Sequence, residues 1–490
     1  MILTLLTVIY LVCVVTLSLY AIATLVLIVL YLLRRSHIVP PAPLTSYPKI
    51  VVQLPVYNER LVVARLIDAA AALDYPSEQL TIQVLDDSTD DTTWIAAAKA
   101  AEWTARGVNV QHIRRGSRDG FKAGALAYGL SITDAEYAAV FDADFVPPPD
   151  FLRTMLASLI DQPGIACVQA RWGHLNPFDN ALTRMQTLAL DGHFVVEQIA
   201  RSTSGLMMNF NGSGGLWRIA AIADAGGWRD TTLTEDLDLS YRAQLRGWRF
   251  LYRPDVVVPA ELPATLTAYR QQQARWARGG TQVLRYLIVP VWKSQRALGI
   301  KLMATAHLCQ YIVHPMMIAL AILTPILTLT RVLQHVSISA LGLLSIVPPV
   351  LFILSQGALY RDWKRRTLAL PILLVMGMGL SRGNTRAVID GLFGGRGTFN
   401  RTPKTAGSRT QVDAPHLSLD WLWEAGFAAY SFGAMIIAYF LLPSLLPYMA
   451  LYGIAFSVFA FVSAREAWIA YRFSLRDDGM ISSLKRLLKW

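Results

Sequence analysis

The chain has 490 residues, of which 54% are hydrophobic and only 16% charged. Ordinary soluble chains are roughly 45–50% apolar and about 25% charged, so the apolar excess must meet a bilayer; disorder, collagen-like repeats and a small disulfide scaffold are excluded. The 45 Lys+Arg against 34 Asp+Glu leave a net charge of +11, which in a soluble chain suggests nucleic acid but in a membrane chain reflects basic cytoplasmic loops.

In chain order, Ile2 to Leu33 carry no charge and end at Arg34-Arg35. The run exceeds the roughly 20 apolar residues of a transmembrane helix and lacks the basic start and short apolar core of a signal peptide. It predicts an uncleaved first span over 1–35, its basic end on the cytoplasmic side. From Lys49 the pattern changes to short β-branched runs separated by helical ones: KIVVQLPV, then TIQVL from Thr81, VNVQHI from Val108 and YAAVF from Tyr137, with helical stretches through Leu66, from about Thr92 and from Phe121. Strands alternating with helices predict an α/β domain over 49–282, built on a mostly parallel sheet covered on both faces.

In such sheets ligands bind beyond the carboxyl ends of the strands, and the polar residues gather there. Tyr57, Asn58 and Glu59 follow the first strand, Asp86, Asp87, Asp90 and Asp91 the second, and Asp142 and Asp144 the later one. Any one group alone reads as a turn or helix cap. Three acidic groups on one rim call for a cation, and oxygen ligands suit Mg²⁺ or Mn²⁺. Alternate strand residues share a face, so Asp142 and Asp144 can converge on one ion, or on an ion and a sugar. Such a cation completes its shell with phosphates, which makes a nucleoside diphosphate the natural candidate. No GxxxxGK[ST] is present and no GxGxxG follows the first strand. Lys122 and Gly124 in GFKAGAL lie at a helix start that would welcome an anion, a solvated lysine being the alternative. Thr234-Glu235-Asp236 opens the pattern LDLSYRAQLRGW; Thr234 reads as a cap, and a carboxylate here as a general base toward an acceptor hydroxyl. Gln272, Arg275 and Trp276 sit on a helix leading to the membrane. An arginine fork suits phosphate and a tryptophan face suits a sugar ring, while an interfacial Arg/Trp belt is the alternative.

An interfacial segment, 283–301, then leads to spans from Leu302 to Leu329 and Ile338 to Leu359, within 302–360. The run Thr367 to Leu380, inside segment 361–423, is shorter than about 17 residues and contains Pro371, Gly377 and Gly379, so it reads as interfacial or re-entrant. Spans from Ala425 to Leu442 and Tyr448 to Tyr471, within 424–472, precede a basic tail over 473–490. Five spans keep Arg361, Lys364, Arg365 and Arg366, as well as Arg382, Arg386, Arg396, Arg401 and Lys404, on the inner side with Lys485, Arg486 and Lys489. Topology thus accounts for the positive charge, and no nucleic-acid partner is needed. Cys13, Cys167 and Cys309 lack metal-ligand spacing and read as reduced core residues.

Taken together, PVYNE, LDDSTDDT, GFKAGAL, FDADFVP, VQARW, FNGSGGLWR, TEDLDLSYRA and QQQARW, in this order and flanked by spans, resemble the processive branch of glycosyltransferase family 2. They look most like the cellulose-synthase-like A glucomannan synthases and their bacterial relatives. The resemblance implies a GT-A (Rossmann-like) domain inserted between transmembrane helices. It also implies inverting transfer from UDP-glucose or GDP-mannose with Mg²⁺ or Mn²⁺, in a multi-pass protein of the bacterial plasma membrane with its catalytic domain cytoplasmic. On this resemblance Tyr57 stacks on the nucleotide base and Asp87 binds base or ribose, with Glu59 and Lys122 in the same donor pocket. Asp142 and Asp144 are the metal and sugar-phosphate carboxylates, Asp144 the more direct ligand. Asp236 is the base, beside Glu235. Gln272, Arg275 and Trp276 match a QxxRW motif that holds the diphosphate and the acceptor's terminal sugar. Asn211, Gly212, Ser213 and Gly214 line the acceptor pocket.

Phe399-Asn-Arg-Thr402-Pro-Lys404 resembles the FxVTxK gating loop of cellulose synthase, with Arg401 in place of valine. Unlike cellulose synthase, the chain has one span before the domain and no room after Trp490 for a regulatory domain, so control by a cyclic dinucleotide is not expected. The expected activity is polymerisation of a β-glycan and its passage through the spans, with lipid around it, export partners undefined, and Trp292, Tyr311, His314 and Tyr360 as candidate path residues. A glycolipid synthase making one transfer to diacylglycerol or ceramide would use the same residues. A transporter or nucleotide-sugar sensor is the non-catalytic alternative, and the intact carboxylates argue against it.

Overall fold

The computed structural model describes residues 1–37, 43–335, 342–395, 397 and 419–477. Seven strands, β1 (Ile50–Val56), β2 (Leu80–Asp86), β3 (Val110–Ile113), β4 (Tyr137–Val140), β5 (Ile165–His174), β6 (Gly215–Arg218) and β7 (Arg249–Ala260), form one sheet in the order β3-β2-β1-β4-β6-β5-β7. The first four run parallel, as their helical crossovers require. β6 is antiparallel to both of its neighbours, and β5 pairs parallel with β7. Alternation along the strands builds two apolar layers. Val52, Leu54 and Phe141 join Phe151 and Met155 on one face, while Leu85, Val140, Cys167 and Trp217 join Leu126 and Leu239 on the other. This second layer also takes in Leu27, Ile28 and Tyr31 from the first helix and Leu351 from the Val347–Leu359 helix. The α/β fold and the apolar helices therefore share one core.

Among the described residues, four helices are long and apolar enough to cross a membrane: Ile2–Arg34, Gln310–Leu329, Asp420–Leu441 and Pro443–Ile469. The run expected to cross from Leu302 divides. Leu298–Leu308 is a separate helix, and its His307 Nδ1 lies 2.8 Å from the buried Tyr241 hydroxyl of the α/β domain. Hydropathy does not distinguish burial against protein from burial in lipid. The run expected from Ile338 is described from residue 342, and its apolar stretch Leu343–Leu359 is among the shorter ones. The short run forms a turn at Thr367–Ala369 and a helix, Leu370–Gly379, that joins a cluster with Met185 and Phe459. Trp292, a candidate path residue, is 43% exposed, and its indole donates to Thr305.

One helix, Leu266–Lys293, carries Gln272, Arg275 and Trp276 and continues past the edge of the α/β domain. Its 28 residues make a rod of about 42 Å. The Thr265 hydroxyl caps it by accepting from the Ala268 N–H at 3.3 Å. Gly279 packs so tightly that a Cβ would stand 2.6 Å from Thr234 Cγ2, and the Gln282 side chain accepts from the Leu233 N–H at 2.9 Å. Near its start, Arg270 pairs with the buried Glu424 and donates to Ser463 at 2.6 Å, which ties the rod to the last two long helices.

Candidate active site

A cleft opens beyond the carboxyl ends of β1, β2 and β4, and Tyr57, Glu59, Asp87, Lys122, Asp142, Asp144, Asn211, Gly212, Glu235, Asp236, Gln272, Arg275 and Trp276 all line it. At one end, the turn after β1 is clasped to the turn after β2. The Asn58 N–H donates to Ser88 Oγ at 2.9 Å, and Asn58 Oδ1 accepts from the Thr89 N–H at 2.8 Å. The two adjacent aspartates after β2 have different surroundings. Asp86 is buried, and although burial opposes its charge, hydrogen bonds from His112 and Ser88 draw it down to about 2. Asp87 lines the cleft and is gripped by Arg115 through both oxygens, at 2.8 and 2.5 Å. The Arg118 guanidinium lies 3.4 Å from the centre of the Tyr57 ring. Neither arginine belongs to a recognisable motif. The only signal for them is the basic run RRGSRDG just before GFKAGAL.

The centre is built around Lys122. Its ammonium contacts Asp142 Oδ1 at 2.6 Å and Glu235 Oε1 at 3.6 Å, and donates to the Gly212 carbonyl at 2.8 Å. Burial works against this charge, yet Asp142, Glu235 and Asp236 outweigh it and hold the lysine more basic than usual. Lys122 is thus the shared counter-ion of three carboxylates. Asp236 sits in the first turn of Glu235–Leu245, where the helix dipole favours acids, and its Oδ1 accepts from the Leu237 N–H at 2.8 Å. Burial, and next the charge of Glu235, push the Asp236 carboxyl up to about 7, against the pull of Lys122 and Arg275. Thr234 precedes this helix without a side-chain cap, and its hydroxyl is buried and unpartnered among the described residues.

Asp144 is buried at 3% exposure, and its Oδ2 accepts from the Glu261 N–H at 3.2 Å. Together with Asp142 it offers oxygen donors only. Among the described residues no group of three His, Cys, Asp or Glu converges as a metal cage. The donor set fits a hard divalent cation that takes one or two carboxylates and completes its shell from phosphate and water.

Two residues expected in the acceptor wall stand behind it instead. Ser213 is fully buried, its hydroxyl accepting from the Asp142 N–H at 3.0 Å, and the Gly214 N–H donates to the Val140 carbonyl at 2.9 Å. Both tie the reversal between β4 and β6 to the sheet. Gly124 is likewise outside the cleft lining; its surroundings are Asp119 and Arg115. Phe399, Thr402 and Lys404 lie outside the described residues. Sequence reasoning gave no site role to Arg115, Arg118, His174, Gln186 and Leu190, and reached Trp172 only as the end of the VQARW motif; all but Arg115 line the cleft.

Gly212 has φ +84°, and a Cβ there would stand 2.8 Å from Asp236 Oδ2 and 3.4 Å from Lys122 Nζ. Gly212→Ala is therefore expected to displace both groups, lowering turnover about 100-fold while costing only about 1–2 kcal/mol of stability. Steady-state rates set beside melting curves test this; near-normal turnover would show that the carboxylate does not need that space.

Residues 48–279 match the family described as "Glycosyltransferase like family 2". Glucomannan 4-beta-mannosyltransferase 2 of Arabidopsis thaliana is 46% identical over 256 residues, which is 51% of this chain and 48% of that protein. Glucomannan 4-beta-mannosyltransferase 9 of the same plant is 39% identical over 302 residues, 59% of this chain and 57% of that protein. The chain thus spans about half the length of the curated relatives it matches. Among solved structures, a mannosyltransferase of Pyrobaculum calidifontis in complex with GDP-Man and Mn²⁺ covers 79% of this chain and 99% of its own at 19% identity, with a TM-score of 0.53. That is a likeness of fold.

Proposed function

We propose, from the match of residues 48–279 to glycosyltransferase family 2, that the protein is a membrane-embedded inverting hexosyltransferase that extends a β-glycan from a nucleotide sugar. Mannose from GDP-mannose is the favoured donor sugar, because the relatives at 46% and 39% identity are named as mannosyltransferases. The observation that carries the chemistry is a carboxyl raised to about 7 that lines the same cleft as the Asp142/Asp144 pair.

The acceptor hydroxyl oxygen attacks the anomeric carbon, the bond from that carbon to the phosphate oxygen breaks, and the electron pair leaves with the nucleoside diphosphate. Asp236 takes the hydroxyl proton. A group with a pKa near the working pH is best matched to that task. Lys122 and Arg275 supply positive charge beside the reacting groups, and Tyr57, Glu59 and Asp87 hold the nucleotide end. Asp142 and Asp144 would hold Mg²⁺ or Mn²⁺, which supplies charge neutralisation at the departing diphosphate. Asn211, Gly212 and Trp276 position the acceptor. The spans keep the domain at the cytoplasmic face, in keeping with the distribution of arginine and lysine.

The test is a donor panel on the purified full chain, comparing GDP-mannose and UDP-glucose with and without EDTA. Linkage analysis and organic extraction of the product complete it. Glycanase-sensitive β-linked mannan, formed at least 100-fold faster with metal, is expected. An organic-extractable monoglycosyl lipid would replace polymer synthesis with glycolipid synthesis. Absence of any nucleotide release would sink the enzyme reading.

A further inference from the structure

We propose that His174 is a hydrogen-bonding contact for a sugar hydroxyl in the cleft, oriented from behind by Asp191 and Gln356; this rests on the glycosyl-transfer reading above. β5 ends at His174, paired with Ala260 of β7. Trp172 and His174 are alternate residues of one strand, so they share a face, and both line the cleft, as do Gln186 and Leu190. The His174 side chain is only 5% exposed, and its Nε2 lies 2.9 Å from Asp191 Oδ1. An ionised carboxylate has no proton to give, so the ring donates from Nε2 and Asp191 fixes its orientation. Asp191 is itself 1% exposed, and its other oxygen accepts from Gln356 Nε2 at 2.9 Å. Gln356 stands on Val347–Leu359, one of the shorter apolar helices, so this chain of hydrogen bonds joins the cleft wall to that helix.

That leaves His174 Nδ1, which is buried and has no hydrogen-bond partner among the described residues. Buried polar atoms are nearly always satisfied, and one held in the wall of a binding cleft is completed by what binds there. The neighbours indicate which chemistry. Trp172 brings an aromatic ring to the lining, Leu190 an apolar side chain and Gln186 an amide. An aromatic face beside a single polar atom suits a sugar ring and one of its hydroxyls rather than a phosphate.

The experiment compares the full chain in detergent with His174→Phe, which keeps a flat ring without nitrogen, and His174→Asn, which keeps a polar atom near the position of Nδ1. KM is measured separately for the nucleotide sugar and for the oligosaccharide acceptor, together with inhibition by the free nucleoside diphosphate. His174→Phe is expected to raise one sugar KM about tenfold, with nucleotide inhibition unchanged and most of the loss recovered in His174→Asn. A rise in donor KM assigns the contact to the transferred hexose, and a rise in acceptor KM assigns it to the chain end. Unchanged KM for both sugars, or a fall in kcat that tracks a lowered melting temperature, would overturn the proposal by making His174 structural. A wild-type protein that transfers no hexose would sink the underlying reading as well, and that result is separate from any difference between variants.

Discussion

Asp236→Asn is expected to reduce hexosyl transfer by about 10³-fold, since the amide cannot accept the acceptor's proton and general-base catalysis contributes roughly 10²–10⁴. The wild-type pH profile should show the same group. With the carboxyl raised to about 7, kcat/KM should climb about tenfold per unit below pH 7, where the base is protonated, and level off above it. Glu235→Gln removes the neighbouring negative charge and should move that limb to lower pH. Stability has its own sign. A carboxyl whose folded pKa exceeds its unfolded value of about 3.9 costs stability fully above pH 7, and the cost fades as pH falls from 7 toward 4. Asp236→Asn should therefore melt higher than wild type at pH 8, with a smaller difference at pH 5. Retained turnover in this variant would remove Asp236 from the base role whatever the melting data show.

Lys122→Met should be nearly as damaging, with a loss of about 10²–10³-fold. The substitution leaves Asp142, Glu235 and Asp236 facing one another without the cation they share at present. Lys122 draws the Asp236 carboxyl downward, so its removal should push the acidic limb of kcat/KM above pH 7. That is opposite to the shift expected from Glu235→Gln. Opposite displacements by two neighbours of one carboxyl are hard to obtain from general misfolding. A Lys122→Met profile that keeps the wild-type limb would show that the lysine does not govern the base.

The alternation of strand and helix was legible because Ile50–Val56 is a nearly continuous apolar run, as a strand covered on both faces should be, and Leu80–Asp86 alternates apolar and polar residues through Val84. The gathering of Tyr57, Asp87, Asp142 and Asp144 in one cleft was legible for the same reason: each follows a parallel strand at its carboxyl end. What pairs with what was not. Lys122 read equally well as a solvated helix lysine, and only the tertiary fold brings Gly212, 90 positions away, against it. The reversal at β6 is carried by four residues, Gly215–Arg218, too few for any periodicity. His174, Asp191 and Gln356 meet across separations of 17 and 165 positions, and no spacing rule covers such a distance. The division of the run after Leu298 escaped notice because apolar side chains read alike whether they face Tyr241 or lipid.

The rod Leu266–Lys293 is held near its start by Glu424 and Ser463 and near its middle by Leu233 and Thr234. A truncation near residue 282, where the sequence places the end of the α/β domain, would cut through it. The motif side chains would then sit on a frayed stump, robbed of the anchors that the distal hairpin of helices provides. The smallest active unit of this protein is consequently larger than its sheet, and attempts to miniaturise it should keep the anchoring helices and trim elsewhere.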